Sequence, residues 1–442
     1  SNRGLPVKVL VLGQGGREHA LAWKLKKSNK VNDLLVWPGN SLSSQWGHPL
    51  SLEAGASFDQ LIACLRDHRV DLVICGPEAP LAEGLADKLE AAGIACFGPK
   101  RQGASLEASK AFAKDVMAKA GIPTAAYQVA HNLSAAEGLA STVLKEKAGV
   151  VIKASGLAGG KGVFVCREAA EVRSAIERLQ NSMAKAADAV VVEEVLEGRE
   201  CSYFTFLGQR GSTPLGFAVD FKRLQDNDVG PNTGGMGSYA PVPWLPPNAG
   251  ALVEEAVVTP LLKELRSREI PYTGFLYVGL MWSPEKGPQV VEFNCRLGDP
   301  EAQILAVHDS RDWLPIMAHQ AGLSDVCDFP PENPNPGATV GVVLASDGYP
   351  YEKSKYPSTQ IAHGDLAEQD GSVVFGAAVQ PSGPNAIATG SGRVFCVVAT
   401  GIDHAEARQR VYQRCDKLQN KWPHSQMRRD IARRVAAGVS AP

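Results

Sequence analysis

The stretch VVEFNCRLGDPE, residues 290–301, carries the polar groups on which the fold and chemistry of this chain turn. Its spacing predicts a strand whose two-residue alternation sets Glu292, Asn294 and Arg296 on one face and Val291 and Phe293 on the other. The apolar pair buries its own face. Burying an acid is costly unless something pairs with it, so packing alone gives no reason for three polar side chains here. A carboxylate and an amide oxygen two residues apart are hard oxygen ligands suited to Mg2+, with phosphate oxygens filling its remaining positions. Arg296 on the same face is placed to steady a developing anion.

Upstream, KASGLAGGKG (153–162) sets Lys153 at a strand's end and Lys161 in a glycine loop that can fold over a polyphosphate. It is not a Walker A loop, because the spacing from Gly156 to Gly160 and Lys161 is one residue short and Gly162 stands where Ser or Thr must hold magnesium. In VVEEVLEGRE (191–200) a strand ends in adjacent carboxylates, which leaves two readings. Either Glu193 and Glu194 are surface acids before a turn, or a hinge offers backbone groups and Glu193 to an adenine, with Glu200 accepting ribose hydroxyls. DFKR (220–223), followed by GPNTGGMG (230–237), brings both charges to a glycine-rich loop too long and too polar for a hairpin turn. A substrate lid or binding loop is one reading, a surface loop the other.

At the N-terminal end, VKVLVL (7–12) is a continuous apolar run suited to a buried parallel strand, closed by GQGGREH (13–19). A glycine turn between strand and helix presents N–H groups at a positive helix end, which is an anion site, and Arg17 and His19 favour phosphate. A dinucleotide fingerprint fails: Glu18 occupies the third glycine's position, and the next strand closes on Trp37, Pro38 and Gly39 without an acid. The loops at Gly39–Asn40 and Gly76–Pro77–Glu78 belong to the same sheet edge and complete a pocket. Apolar runs at 34–37, 71–75 and 94–97, with a helix over 81–92, predict a parallel α/β sheet. A helix carrying Phe112, Val116 and Ala120 on one face follows, stopped by Gly121 and Pro123. Residues 127–194 show strand, turn and helix signals in a unit too small for a second Rossmann half. DFPPENPNPG (328–337) is a linker, strands resume at 339–345, and a basic helix is expected over 428–435.

The 442 residues include 45 Lys+Arg against 47 Asp+Glu, a formal charge of −2, with 44% hydrophobic and 21% charged residues. Such values describe a folded multidomain chain and give no electrostatic footprint for nucleic acid or an anionic membrane. No apolar run approaches the ~18 residues of a membrane span. Nine cysteines without a CxxC pair are expected to be reduced thiols of a cytoplasmic protein. Ser1 and Asn2 are expected to be a cleavage scar and are left out of the fold.

GGREHALAWKL (15–25), GPEAPLAEGLAD (76–87), SKAFAKD (109–115), the 153–162 loop, GPNTGGMG (230–237), TGFLYVGLM (273–281), EFNCRLGDPE (292–301) and a weaker RRDI (428–431) run in order along nearly the whole chain. Together this set resembles the ATP-grasp ligases and, within them, the phosphoribosylamine–glycine ligase (glycinamide ribonucleotide synthetase) family. The resemblance implies an α/β and α+β multidomain architecture. An N-terminal parallel α/β substrate-binding domain spans 3–104, an ATP-grasp core 105–126 and 195–329, a lid subdomain 127–194, and a C-terminal α+β domain 338–442.

The same resemblance implies roles. Lys110 and Lys153 touch the phosphates of ATP, and Gly160 and Lys161 belong to the loop above them. Glu193, Glu194 and the Val195 backbone meet adenine, Glu200 the ribose, and Glu292 and Asn294 hold Mg2+ or Mn2+. Gly15, Gly16, Arg17 and Glu18, with Asn40 and the Gly76, Pro77 and Glu78 turn, cradle phosphoribosylamine. Asp220, Arg296, Gly234 and Gly235 lie near glycine, and Arg296, Asp220 and Lys153 form the catalytic set. In the implied reaction glycine's carboxylate attacks the γ-phosphate, and the amine of 5-phosphoribosylamine displaces phosphate from the resulting glycyl phosphate. Such chemistry asks for charge neutralisation and a closed site more than for acid–base groups. A cytoplasmic monomer of de novo purine biosynthesis follows, with small-molecule substrates and no nucleic-acid or membrane partner. The chain departs from the family at Gln14 for asparagine, Phe221 for histidine, and Phe375 to Ala378 for HAGT. Three other readings compete: an ATP-grasp ligase using formate or bicarbonate, a dinucleotide-binding oxidoreductase, and a nucleotide-binding module without catalysis.

Overall fold

A computed structural model describes Leu5 and residues 7–439. Ser1 and Asn2, the first residues of the expected 3–104 span and the last three of the 338–442 span lie outside the described residues. The N-terminal sheet is five parallel strands in the order His48–Pro49, Val31–Pro38, Val7–Gly13, Leu72–Cys75, Ala95–Phe97. Val7–Gly13 is central and buried except at Lys8, which pairs with Asp33 at 3.2 Å. Parallel strands end at one edge, so the turns after Gly13, Pro38 and Cys75 meet there. The helix expected over 81–92 is two, Ala79–Ala82 and Leu85–Ala91, broken at Gly84.

Helix Lys110–Ala120 follows, with the Ser109 side chain accepting from the Phe112 N–H at 3.1 Å. Residues 127–194 then form a separate antiparallel sheet in the order Tyr127–Ala130, Val190–Glu194, Val150–Ala154, Val163–Cys166. Two helices cover it, Leu133–Glu146 and Ala169–Ser182. The first was not foreseen: four of its fourteen residues are Ala or Gly, which thins the apolar periodicity. This unit has its own apolar core, built on Ile152, Leu179 and Val190.

The largest sheet is antiparallel and runs Gly287–Asn294, Gly274–Ser283, Arg199–Gly208, Gly211–Asp220, Gly237–Ala240, then Ala338–Ser346, Arg393–Gly401 and Ser372–Gly376. Strands on both sides of the proline-rich linker thus belong to one continuous sheet. Two expectations are corrected. The strand of the decisive stretch ends at Asn294, so Arg296 lies beyond it, and a register shift between Gly279 and Leu280 leaves Val291 without a cross-strand partner. Only Arg433–Ala436 of the basic 428–435 segment is helical, because Arg428 is buried in ion pairs. All nine cysteines are free thiols. Among the described residues no helix is long and apolar enough to cross a membrane.

Candidate active site

Helix Lys110–Ala120, strand Val150–Ala154 with its glycine loop, and the end of strand Gly287–Asn294 enclose a cleft lined by Lys110, Lys114, Lys153, Glu292, Asn294 and Arg296. The Asn294 Nδ2 lies 3.4 Å from the Glu292 Oε1. Burial works to raise the pKa of Glu292, but Lys222, Lys153 and Lys110 outweigh it and hold the carboxyl below its usual range. Burial in turn lowers the pKa of Lys110, with Glu292 opposing. The cleft therefore holds an anionic oxygen ligand among cations before any phosphate arrives. Lys153 reaches from the small sheet to donate to the Val291 carbonyl at 3.1 Å, and the Lys110 N–H donates to the Ser155 carbonyl at 2.8 Å. In the loop beyond, Gly159 and Gly160 have φ of 59° and 76°, a left-handed pair that only glycine adopts freely, and Lys161 is exposed.

The Glu193 side chain, expected to meet adenine, is engaged within the protein. That carboxylate is buried between Lys153 and Lys114, the latter at 2.6 Å, so two cations already occupy it. Glu194 accepts from the Ala126 N–H at 3.2 Å, Val195 is half-buried, and Glu200 is exposed. Lys114 is a residue sequence reasoning missed, although it follows Lys110 by four positions and so shares its helix face.

Against this cleft lies the edge of the N-terminal sheet. Arg296 bridges the two, with its Nε 3.3 Å from Glu78 and its Nη2 3.0 Å from buried Glu107. Arg17 pairs with Glu18 at 2.9 Å and donates to the Leu297 carbonyl at 3.2 Å. A Cβ on Gly76 would stand 2.5 Å from the Glu18 Cγ, which is why glycine is needed at that turn. Gly15 and Gly16 open the helix, and a Cβ on Gly15 would lie 3.7 Å from Asp299. Asp299 itself is held by Arg393 at 3.4 Å and Gln303 at 2.8 Å. The Asn40 amide is fully committed: it donates to the Gln14 and Gly376 carbonyls and accepts from the Leu42 and Ser43 N–H groups. His19 does not face the anion site. It is buried against Phe375, and burial pushes its pKa down to about 3.

Asp220 ends its strand 3.9 Å from Lys222, whose pKa it raises strongly. Buried Glu301 lies close enough to feel Asp220, and burial with that charge lifts its pKa to about 7. The Gly234 N–H donates to the Tyr349 hydroxyl at 2.9 Å and the Gly235 N–H to Thr233 at 3.0 Å, so both backbone donors are engaged within the protein. Glu107 and Arg393 were not foreseen as site neighbours, because their partners lie far along the chain; the GDPE run beside Arg296 signalled Asp299 and Glu301, and the DFKR run signalled Lys222.

A small sheet clamped over a large antiparallel one, with lysines and oxygen ligands between them, is the arrangement of the ATP-grasp class. Models described as the phosphoribosylglycinamide synthetase N domain, ATP-grasp (A) domain and C domain match residues 7–107, 108–302 and 339–434. The chain belongs to the phosphoribosylglycinamide synthetase family. It is 38% identical over 439 residues to the phosphoribosylamine–glycine ligase of Vibrio cholerae, covering 98% of this chain and 100% of that protein. Its fold matches the crystal structure of the Thermotoga maritima phosphoribosylamine–glycine ligase at a TM-score of 0.78 and 29% identity, over 96% of this chain and 100% of that one. The biotin carboxylase domain of the Hydrogenobacter thermophilus 2-oxoglutarate carboxylase, solved with MgADP and bicarbonate, shares the fold at a TM-score of 0.69 and 15% identity, over 96% and 91% of the two chains.

Proposed function

We propose that this chain is an ATP-dependent carbon–nitrogen ligase that joins glycine to 5-phosphoribosylamine, giving glycinamide ribonucleotide, ADP and phosphate in de novo purine biosynthesis. The observation that carries this reading is the Glu292 carboxylate beside Asn294 in a cleft that Lys110 and Lys153 also line and that the glycine loop borders. Among the described residues no cluster of three or more His, Cys, Asp or Glu could hold a metal unaided. Two oxygen ligands with open positions fit Mg2+ brought in with a triphosphate, since Mg2+ binds through one or two carboxylates plus phosphates. Bound there, Mg2+ would neutralise charge developing on the transferred phosphoryl group.

The chain's own groups do the rest. Lys110 and Lys153 neutralise the triphosphate so that glycine's carboxylate can attack the γ-phosphorus and ADP can leave. Arg296 and Asp220 orient glycine, and the turns bearing Arg17 and Glu78 present the phosphoribosylamine nitrogen, which then displaces phosphate from the acyl carbon. The 155–162 loop excludes water from the acyl phosphate, which would otherwise hydrolyse. The reading takes the chain to act as a monomer, and nine free thiols support a cytoplasmic setting. A coupled ADP assay tests the reaction. ADP should form only when glycine and phosphoribosylamine are both present with Mg-ATP; formation with formate or bicarbonate instead would overturn the substrate assignment.

A further inference from the structure

The C-terminal RRDI segment, residues 428–431, lies about two hundred positions from the glycine-rich loop, yet the two are tied residue by residue. Residues 223–232 form a hairpin whose turn is Asp226, Asn227 and Asp228, and the loop carrying Gly234 and Gly235 continues directly from it. The Arg429 N–H donates to Asp226 at 2.8 Å, the Asn227 N–H to Asp430 at 2.9 Å, and the Arg428 Nη1 to Asp228 at 2.8 Å. Arg428 is 1% exposed, and its other nitrogen meets Asp430 at 2.7 Å. Its guanidinium also lies 4.9 Å over the Phe221 ring, one residue beyond Asp220.

Asn227 and Asp228 have φ of 60° and 54°, a left-handed pair that Asn and Asp tolerate better than other non-glycine residues, and the contacts from 428–430 hold both ends of that turn. At the loop's other end, Gly237 packs so closely on Ile431 that a Cβ would stand 2.6 Å from its Cδ1. The Tyr412 hydroxyl fixes the segment from behind, donating to the Arg428 carbonyl at 2.8 Å and accepting from the Ile431 N–H at 3.1 Å.

We propose that the 428–431 segment sets the position of the 220–237 loop over the glycine site, with Arg428 as the positioning residue that no substrate touches. This rests on the substrate role given to that loop above. The test is hydrogen exchange of residues 222–236 alongside Michaelis constants for glycine and ATP in Arg428→Met, Arg428→Lys and Asp228→Asn. Arg428→Met should lose tenfold or more protection in the loop and raise the KM for glycine at least fivefold, with the KM for ATP within twofold of wild type. Arg428→Lys should recover part of both. Asp228 is exposed, so Asp228→Asn leaves the fold intact and should shift the same two readouts about threefold. Unchanged loop protection in Asp228→Asn overturns the proposal, as does an equal rise for ATP. Loosening with every KM unchanged also overturns it, and removes the loop from the substrate site, while ADP formation that still requires glycine and phosphoribosylamine leaves the reaction itself standing.

Discussion

Glu292 concentrates the chemistry of the cleft, because three lysines hold it ionised and Asn294 stands beside it. Glu292→Ala should lower kcat at least a thousandfold, about 4 kcal/mol of transition-state stabilisation, with an unchanged circular dichroism spectrum. Near-normal turnover at saturating magnesium would sink the metal assignment. Arg17 serves the other substrate. Charge-assisted hydrogen bonds are worth ~1.5–3 kcal/mol, so Arg17→Ala should raise the KM for phosphoribosylamine roughly tenfold or more and leave that for ATP alone. Initial-rate kinetics with each substrate varied in turn decide it, and an equal effect on both would mean the N-terminal loop was misread. At this scale Glu292, Asn294 and Lys153 were legible because each sits in a motif of about a dozen residues. The pairing of Glu193 with Lys114 was not, since it joins residues 79 positions apart.

Elements whose signals are local emerged from the sequence close to their observed bounds: strand Val7–Gly13, helix Lys110–Ala120 and strand Ala338–Ser346. The basic 428–435 run misled because its arginines look like the polar face of a helix, whereas Arg428 is consumed by carboxylates at 228 and 430. Charge on paper does not say where its partner is. The turn at Gly76 is an element-scale constraint of another kind, a backbone that must pass within van der Waals contact of Glu18. Gly76→Ala should cost roughly 1–3 kcal/mol by overpacking and also raise the KM for phosphoribosylamine. Urea titration and kinetics on one preparation read both, and an unaltered urea midpoint would show that Glu18 simply moves aside.

Across the molecule, acid should act on contacts between distant segments. His19 is wedged against the Phe375 strand, with a pKa of about 3, and His308 meets Thr339 at 3.0 Å with a pKa of about 4, both lowered chiefly by burial. In the unfolded chain each histidine titrates near 6.5. Below that pH the unfolded state takes up protons that the native state refuses. Full stability is therefore present above pH 6.5 and drains away as pH falls towards the native values. At pH 5.5 each residue should cost roughly 1 kcal/mol, so the urea midpoint should drop between pH 7 and 5.5, and His308→Gln should flatten that fall. An identical slope in the variant would clear His308 of the effect.

The small sheet has one further property with a consequence. Its incoming and outgoing chains touch, the Glu194 N–H donating to the Ala126 carbonyl at 3.1 Å, and among the described residues its apolar core is drawn only from 130–192. A module whose two stems sit side by side can be spliced in or out of an ancestral gene as one cassette, leaving the host backbone with no gap to bridge.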